Sequence, residues 1–369
     1  MVIGIDISVL NDYQKTGIGV YTYGLIKALL LKNKKDKFIL FGIATFSTFD
    51  HLKNIEFKKY PNVELKIFKL PAKFFRIAFL IWQKLNWPSI ENLIGPVDIF
   101  HSFNWYFPSQ RFGKSIATVF DMTPILYPNF HQEKTVQLDK NRLERIKEMA
   151  DLVITISENS KKDFLKFAPG KKVEVIYPAT DIKMLNSLKS VLDKYHLKPG
   201  YFLSVSTIEP RKNIKALIKA YLSSGLPNKL VLVGGEGWKS EEIRKYRDKY
   251  SDKIILTGFV PDADLPILYS QALCLVYPSF YEGFGIPVLE AMQLGTPVIT
   301  SKVSSLPEVG GEAVYYIDPK DKSIIKNALI KISKDKNLRK RLSQKGLEQA
   351  KKFSWQKSAK KLNDFYHFG

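Results

Sequence analysis

Cysteine is nearly absent from this chain of 369 residues, which contains Cys274 alone. A single cysteine excludes an intrachain disulfide framework and favours a reducing compartment. Residues 1–7 have the pattern of a β-strand, without the basic region and small-residue cleavage site of a secretory leader. We therefore expect a cytoplasmic protein with Cys274 in its core.

Long apolar runs are also missing, since no uninterrupted run reaches the roughly 20 residues that span a bilayer. The nearest candidate, residues 72–87, is interrupted by Lys73, Arg76 and Lys84 and predicts an amphipathic helix. One interpretation packs its apolar stripe against the core, and this is the one that the spacing favours. The other docks the helix on the anionic inner face of a membrane, as a peripheral protein would. The stripe expected to be buried consists of Phe74, Ile77, Ala78, Ile81 and Leu85.

Residues for metal binding or nucleophilic catalysis are sparse. The five histidines have no metal-ligand spacing, and no Ser/His/Asp set can be identified. His101 ends a predicted strand, where it is a candidate catalytic group, an acceptor contact or a satisfied core residue. Asp121 ends another predicted strand and is a candidate contact for a substrate hydroxyl.

Positive charge is abundant, with 57 Lys and Arg against 36 Asp and Glu and a net charge of +21. The excess is spread over both halves of the chain, which favours anionic partners such as nucleotides or lipid headgroups. No basic strip interleaved with aromatic residues is present, so we expect no nucleic-acid partner.

Alternating strand and helix patterns in both halves predict the α/β class, with mostly parallel sheets covered by helices. The chain is long for one core, and residues 178–200 interrupt the alternation and end in Lys-Pro-Gly. We therefore predict two domains, residues 1–180 and residues 181–353.

The clearest ligand-binding pattern lies in residues 272–300, which predict a strand, a glycine-bearing loop, a helix and a second strand. Gly283 and Gly285 allow a close backbone approach, and Pro287 suits the first helical position, so the helix start is a candidate phosphate site. Glu282 in the loop and Glu290 in the helix can both accept hydrogen bonds from ligand hydroxyls. The alternative is that both are ordinary surface acids.

Two further loops follow predicted strands and precede helices. Arg211 and Lys212 in the first would supply cationic donors to a diphosphate, or are merely surface cations. Gly17 and Gly19 in the second open the first helix as a phosphate loop would. This loop lacks the third glycine of the dinucleotide fingerprint and a Walker lysine, which argues against a dehydrogenase.

The ordered set of motifs resembles retaining glycosyltransferases of the GT-B fold, in glycosyltransferase family 4. Residues 280–292, followed by Gly-Thr-Pro-Val-Ile-Thr at 295–300, match the family's pair of acids separated by seven residues. Further matches occur in the same order along the chain at residues 16–21, 121–128, 155–160, 206–213, 232–238, 258–261 and 304–308.

This resemblance implies two Rossmann-like domains that face a cleft, with the acceptor held by the first and the nucleotide-sugar by the second. It implies that the final helix, residues 354–369, crosses back to the first domain. The resemblance also implies a role for each motif residue. Glu290 would contact the ribose and Glu282 the donor sugar, while Arg211, Lys212 and Gly19 would contact the diphosphate. The backbone of Gly283, Phe284, Gly285 and Ile286 would contact sugar and phosphate, and the loop that ends at Val260 would contact the base.

The implied reaction needs no metal or cofactor beyond the nucleotide-sugar donor. The motif combination is similar to members that extend surface polysaccharides, which makes GDP-mannose the first expectation and a saccharide or lipid-linked saccharide the expected acceptor. UDP-glucose as donor and a non-catalytic nucleotide-binding module are the alternatives. Many members have histidine where this chain has Phe103 and Phe120.

Overall fold

The computed structural model describes residues 1–11, 16–103, 106–184, 187–238 and 240–368, without the side chains of residues 75, 76, 78–80 and 83. Residues 12–15 of the loop before the first helix, and the side chain of Ala78, thus lie outside the described residues. The chain divides into two compact units, residues 1–179 with 354–369, and residues 180–353.

Each unit contains one parallel sheet, as the strand and helix alternation predicted. The described strands of the first unit are β1 (Val2–Asp6), β2 (Lys37–Ala44), β3 (Val63–Lys69), β4 (Ile99–Ser102), β5 (Lys114–Val119), β6 (Leu152–Thr155) and β7 (Val173–Val175). Those of the second are β8 (Tyr201–Val205), β9 (Leu230–Val233), β10 (Ile254–Gly258), β11 (Ala272–Tyr277), β12 (Val298–Ser301) and β13 (Tyr315–Ile317). The strand orders are 3-2-1-4-5-6-7 and 10-9-8-11-12-13. Each strand predicted from the sequence overlaps one of these, which confirms the α/β class.

Helices connect the strands. In the first unit the described helices are α1 (Gly17–Lys32), α2 (Phe49–Lys53), α3 (Ala72–Leu85), α4 (Ile90–Ile94), α5 (Thr123–Leu126), α6 (Glu133–Met149) and α7 (Glu158–Phe167). In the second they are α8 (Leu188–Lys194), α9 (Ile214–Ser224), α10 (Glu241–Lys249), α11 (Leu265–Ser270), α12 (Ile286–Gln293), α13 (Leu306–Gly310), α14 (Lys322–Lys334) and α15 (Lys336–Ala350). The last helix, α16 (Trp355–Phe368), belongs to the first unit.

The central strands are buried on both faces, which explains their nearly continuous apolar sequences. All four residues of β9 and seven of the eight residues of β2 are buried. Because parallel strands point in one direction, the loops after β8 and β11, which are neighbours in the second sheet, emerge at the same edge.

The final helix completes the first unit by packing along α1. The indole of Trp355 lies against Gly24 of α1, and a Cβ built on Gly24 would lie 2.4 Å from two of its ring atoms. The Tyr366 hydroxyl meets Nδ1 of His101 on β4 at 2.7 Å, and the Ser358 hydroxyl donates to the carbonyl of Tyr177 at 2.7 Å. The last helix therefore supplies both packing and hydrogen bonds to the first unit.

The structure corrects the expectation for α3. We expected its apolar stripe in the core, but Phe74, Ile77, Ile81 and Leu85 are 48%, 53%, 51% and 62% exposed. The helix is held instead by Trp82, whose ring packs on Tyr106 with centroids 5.0 Å apart. Helical periodicity identified one apolar face but not its neighbour. None of the described helices is both long and apolar enough to cross a membrane.

We predict that Gly24→Ala destabilises the first unit by about 1–3 kcal/mol, because the added methyl group would overlap the Trp355 ring. Gly19→Ala in the same helix is the matched control, since its Cβ would meet no atom closer than Thr16 Oγ1 at 3.7 Å. Alanine in an open helical position should stabilise by up to about 1 kcal/mol. Denaturant midpoints measure both effects, and equal shifts for the two variants would contradict the packing described.

Candidate active site

The loop between β11 and α12 turns sharply at Gly285, which has a left-handed φ of 111°. A Cβ there would lie 2.8 Å from Leu306 Cδ2, so this position favours glycine on both conformational and steric grounds. Helix α12 begins at Ile286. Pro287 is therefore the second helical residue, whereas the sequence analysis placed it first. Its missing N–H still lies in the first turn, where no partner within the helix is needed.

Two serines outside the loop hold its backbone. The Ser305 hydroxyl bonds the carbonyls of Glu282 and Phe284, at 2.9 and 2.8 Å, and is fully buried. The Glu282 N–H donates to Ser304 Oγ at 2.9 Å. The Ser-Ser-Leu-Pro-Glu motif at residues 304–308 thus positions the loop, a role that its sequence did not suggest.

Glu282 is the centre of a buried cluster of charges. One carboxylate oxygen accepts from Arg211 Nη1 at 2.8 Å, and the other accepts from Lys212 Nζ at 2.7 Å. Lys212 also donates to the hydroxyl of Tyr277, at the end of β11, at 2.9 Å. The structure therefore brings together three residues that the sequence analysis placed in two separate loops.

The charges in this cluster determine one another's ionisation. Burial alone would raise the pKa of Glu282, but the positive charges of Arg211 and Lys212 lower it to about 2. The pKa of Lys212 is lowered by burial and by the charge of Arg211. The direct pairing of its ammonium with Glu282 opposes that shift in the pKa of Lys212.

Arg211 and Lys212 lie on a short 3-10 turn, Pro210–Lys212, that ends at Asn213 in the left-handed conformation with a φ of 59°. The Asn213 amide donates to the carbonyls of Pro278 and Pro319, at 3.2 and 2.7 Å. Arg211 also pairs with Glu209, with 2.8 Å between Nη2 and Oε1. These contacts tie the loop after β8 to the loops after β11 and β13 and fix where the two cations lie.

Glu290 has different partners from Glu282. It lies about one turn into α12, where its carboxylate accepts from the Tyr269 hydroxyl at 2.8 Å. Burial, together with the charge of Asp262, raises its pKa to about 7, although the hydrogen bond from Tyr269 opposes that shift. The two acids therefore differ in charge near neutrality, a difference that their spacing in the sequence did not indicate.

Other predicted donor-binding residues present mainly backbone. The ring of Phe284 is buried and packs edge-to-face on Phe353, with centroids 5.4 Å apart. Val260 is buried, whereas the preceding Phe259 is 47% exposed. The carbonyl of Gly258 accepts from Gly234 N–H at 2.9 Å, which links this loop to the end of β9.

His101 lies in the core of the first unit. Its Nδ1 meets the Tyr366 hydroxyl at 2.7 Å, its Nε2 meets the Thr118 hydroxyl at 2.8 Å, and its ring stacks on Phe103 at 4.1 Å. Burial lowers the pKa of His101 to about 3, so the ring is neutral. With both nitrogens engaged, the geometry favours the satisfied core residue over the catalytic group.

Asp121 and the first glycine loop make local contacts at the starts of two helices. Asp121 Oδ1 accepts from the Thr123 N–H at 2.9 Å and from the Thr123 hydroxyl, at the start of α5. Gly17 is the first residue of α1, and the Gly19 N–H donates to the Thr16 hydroxyl at 3.3 Å as a helix cap.

Sequence reasoning missed Asp6, which ends β1 at the same sheet edge as His101 and is fully buried. Its Oδ1 accepts from the Ser8 N–H at 2.9 Å, while Oδ2 has no hydrogen-bond partner among the described residues. Burial raises the pKa of Asp6 to about 6. The signal in the sequence that could have identified Asp6 is an acidic residue at the end of an otherwise apolar strand.

We predict that Glu282→Gln destabilises the second unit by about 3 kcal/mol or more, because the buried Lys212 loses its counter-charge and Arg211 loses one carboxylate partner while it keeps its pair with Glu209. The folded pKa of about 2 lies below the ordinary value of 4.5, so the ionised carboxylate stabilises the native state above pH 4.5. That stabilisation is lost as the pH falls towards 2. Thermal unfolding against pH should therefore show the gap between wild type and variant narrowing in acid.

Glu312→Gln is the matched control, because Glu312 pairs with Lys345 at 3.0 Å while its own side chain is 91% exposed. Exposed pairs contribute about 0–1 kcal/mol, so this variant should unfold almost as wild type does. A Glu282→Gln variant as stable as Glu312→Gln would show that the buried ion pairs do not stabilise the fold.

Comparison with known proteins identifies the family. Residues 193–349 match the family model for glycosyl transferases group 1. The chain is 32% identical to the O-antigen chain mannosyltransferase B of Escherichia coli, over 93% of this chain and 94% of that protein. It is 31% identical to the O-antigen chain mannosyltransferase RfbU of Salmonella typhimurium, over 70% of this chain and 72% of that one.

Solved structures agree on the fold. Sucrose-phosphate synthase from Thermosynechococcus elongatus superposes with a TM-score of 0.77 at 21% identity, covering 100% of this chain and 98% of that one. WaaG, a glycosyltransferase involved in lipopolysaccharide biosynthesis, gives a TM-score of 0.71 at 16% identity, covering 100% of both chains. These likenesses confirm the GT-B fold. The relatives above, together with the matching family model, establish that the chain belongs to the group 1 glycosyltransferases.

Proposed function

We propose that this glycosyltransferase moves mannose from GDP-mannose to a saccharide or lipid-linked saccharide, with retention of the anomeric configuration and without a metal ion. The observation that carries the proposal is the pair Arg211 and Lys212, which are fixed beside Glu282 in the loops at one edge of the second sheet. The choice of mannose is supported by relatives named as mannosyltransferases.

The cation pair suits a diphosphate leaving group. Arg211 offers a planar set of donors and Lys212 a point charge, and neither must move far because each already has fixed hydrogen bonds. Helix α12 begins three residues after Gly283, so the positive end of its dipole lies at the same loop. Prearranged donors of this kind stabilise charge that develops in the transition state, the role that a metal plays in other transferases.

The two acids then divide the hydroxyl contacts. We assign the donor sugar to Glu282, whose pKa of about 2 keeps it a hydrogen-bond acceptor, and the ribose to Glu290. Gly283, Phe284, Gly285 and Ile286 would contact sugar and phosphate through their backbone, and Val260 would lie against the base. Retention would follow attack on the face from which the diphosphate departs.

The proposed setting is the cytoplasmic face of a membrane, where a lipid-linked saccharide would be reached by a peripheral enzyme. This part is supported by the positive charge of the chain, +21, and by relatives named for O-antigen synthesis. The acceptor would be held by the first unit, where Asp6 ends β1 and Asp121 follows β5, two strands that lie on either side of β4.

We predict that protein treated with EDTA transfers mannose from GDP-mannose to a mannoside acceptor and gives an α-linked product, which NMR of the anomeric proton identifies. Arg211→Ala should reduce kcat by about 100-fold or more, since it removes one transition-state donor. Arg247→Ala is the matched control, because the partner of Arg247 among the described residues is the exposed Asp248 on α10, and this substitution should leave kcat unchanged.

Each part of the proposal can fail separately. Faster transfer from UDP-glucose would overturn the donor, a β-linked product would overturn retention, and loss of activity with EDTA would overturn metal independence. An Arg211→Ala variant with wild-type kcat would remove the diphosphate role from this cluster.

We also predict that affinity for GDP rises with pH between about 6 and 8. The pKa of Glu290 is about 7, so a rising pH converts it to a carboxylate, which accepts hydroxyl hydrogen bonds more strongly by about 1 kcal/mol, or roughly fivefold in Kd. Glu290→Gln should lose this component, and whatever pH dependence remains belongs to the phosphates of GDP. Calorimetry of both proteins over this pH range measures the difference. Identical profiles would exclude the ribose role of Glu290.

A further inference from the structure

The exposed face of α3 is unusual for a helix that connects two strands of a sheet. Phe74, Ile77, Ile81 and Leu85 follow one another at intervals of three, four and four residues, so they form one continuous stripe along the helix. All four are about half exposed or more, and Trp87, just beyond the helix, is 64% exposed. Scattered apolar residues are normal on a surface, but a contiguous row marks an interaction site.

The charge around this stripe indicates the kind of partner. Lys73 and Lys84 lie at the two ends of α3, both exposed, and Lys73 Nζ lies 5.1 Å from the ring centre of Phe74. The sequence between Glu64 and Glu91 contains five Lys and Arg residues and no acid. A row of apolar side chains with lysines at both ends of its helix, in a segment of sequence without acids, matches an anionic interface whose interior is apolar.

The position of α3 relates this surface to the sheet edge. The helix begins three residues after β3 ends at Lys69, and β3 is paired with β2 through Ala44 and Lys69. Phe46, just after β2, is 66% exposed, and Lys69 Nζ lies 4.1 Å from the ring centre of Phe49. Aromatic and basic side chains therefore continue from the start of α3 onto the carboxyl edge of the first sheet.

We propose that the α3 surface, defined as Lys73, Phe74, Ile77, Ile81, Lys84, Leu85 and Trp87, docks on a bilayer of anionic phospholipid. The apolar stripe enters the boundary between headgroups and acyl chains while the lysines contact lipid phosphates. Trp82 keeps the helix attached to the core in this arrangement, because its ring already packs on Tyr106. Docking brings the carboxyl edge of the first sheet towards the headgroups. This inference rests on the proposed function in one respect, since docking would bring the enzyme to a lipid-linked saccharide acceptor.

Co-sedimentation with vesicles tests the docking without any substrate, so its outcome is separate from that of the transfer assay. The full chain should bind vesicles that mix phosphatidylglycerol with phosphatidylcholine, and should bind pure phosphatidylcholine vesicles much more weakly. Ile81→Glu should weaken binding by about tenfold or more, since it replaces an apolar side chain that enters the bilayer with a charged one. Leu31→Glu on α1 is the matched control, because Leu31 is 58% exposed on a helix of the same unit and lies outside the α3 surface.

A second pair of variants separates local charge from net charge. Lys73→Gln with Lys84→Gln should weaken binding by on the order of thirtyfold at low salt, about fivefold for each lysine. Lys32→Gln with Lys35→Gln removes the same charge from exposed positions elsewhere and should have a much smaller effect. This pair leaves the apolar stripe intact, so it tests the surface even where Ile81→Glu fails to fold.

Three results would overturn the proposal. The wild-type chain could fail to bind anionic vesicles at low salt, or both matched pairs could weaken binding equally. Alternatively, light scattering could show a wild-type dimer that Ile81→Glu converts to a monomer without any change in vesicle binding, which would make a second copy of the chain the occupant of the surface.

Discussion

The ion pairs of the buried Glu282 carboxylate with Arg211 and Lys212 are the interaction on which the site of the second unit depends. Removing a carboxylate and two cations from water costs several kcal/mol per ion, and close pairing with further hydrogen bonds is what offsets that cost. Glu282 meets both conditions, because each oxygen accepts from a different cation and Ser304 accepts from its N–H. The two cations are thereby held in place before any ligand binds. Side chains that were free beforehand would lose conformational entropy on binding, and these lose less of it.

The surroundings of this carboxylate explain why three loops share one geometry. Asn213 joins the ends of β11 and β13 through two carbonyls, and Ser305 joins α13 to the backbone of the glycine loop. None of these contacts uses a regular helix or sheet bond, so each depends on a particular side chain. The site is therefore fixed by polar side chains that act on backbone, while the apolar core fixes only the strands from which the loops leave.

The sequence was sufficient for the strands, the parallel sheets and the position of the glycine loop, because each follows from local periodicity and turn chemistry. It was not sufficient for partners that are distant in the chain. Glu282 and Arg211 are separated by 71 residues, and His101 meets Tyr366 across 265. The prediction that the apolar stripe of α3 lies in the core was wrong for a related reason. An amphipathic pattern is the same whether its apolar face contacts protein or another apolar phase.

The arrangement of α16 also bears on how the protein folds during synthesis. The first unit consists of residues 1–179 and 354–369, so its earlier part needs Trp355 to pack beside Gly24 and Tyr366 to bond the His101 ring. A ribosome adds roughly 5–20 residues per second, so the earlier part of this unit must wait while the whole second unit is translated. During that interval α1 lacks the helix that packs along it, so the first unit cannot complete its packing around Gly24 until the last helix emerges.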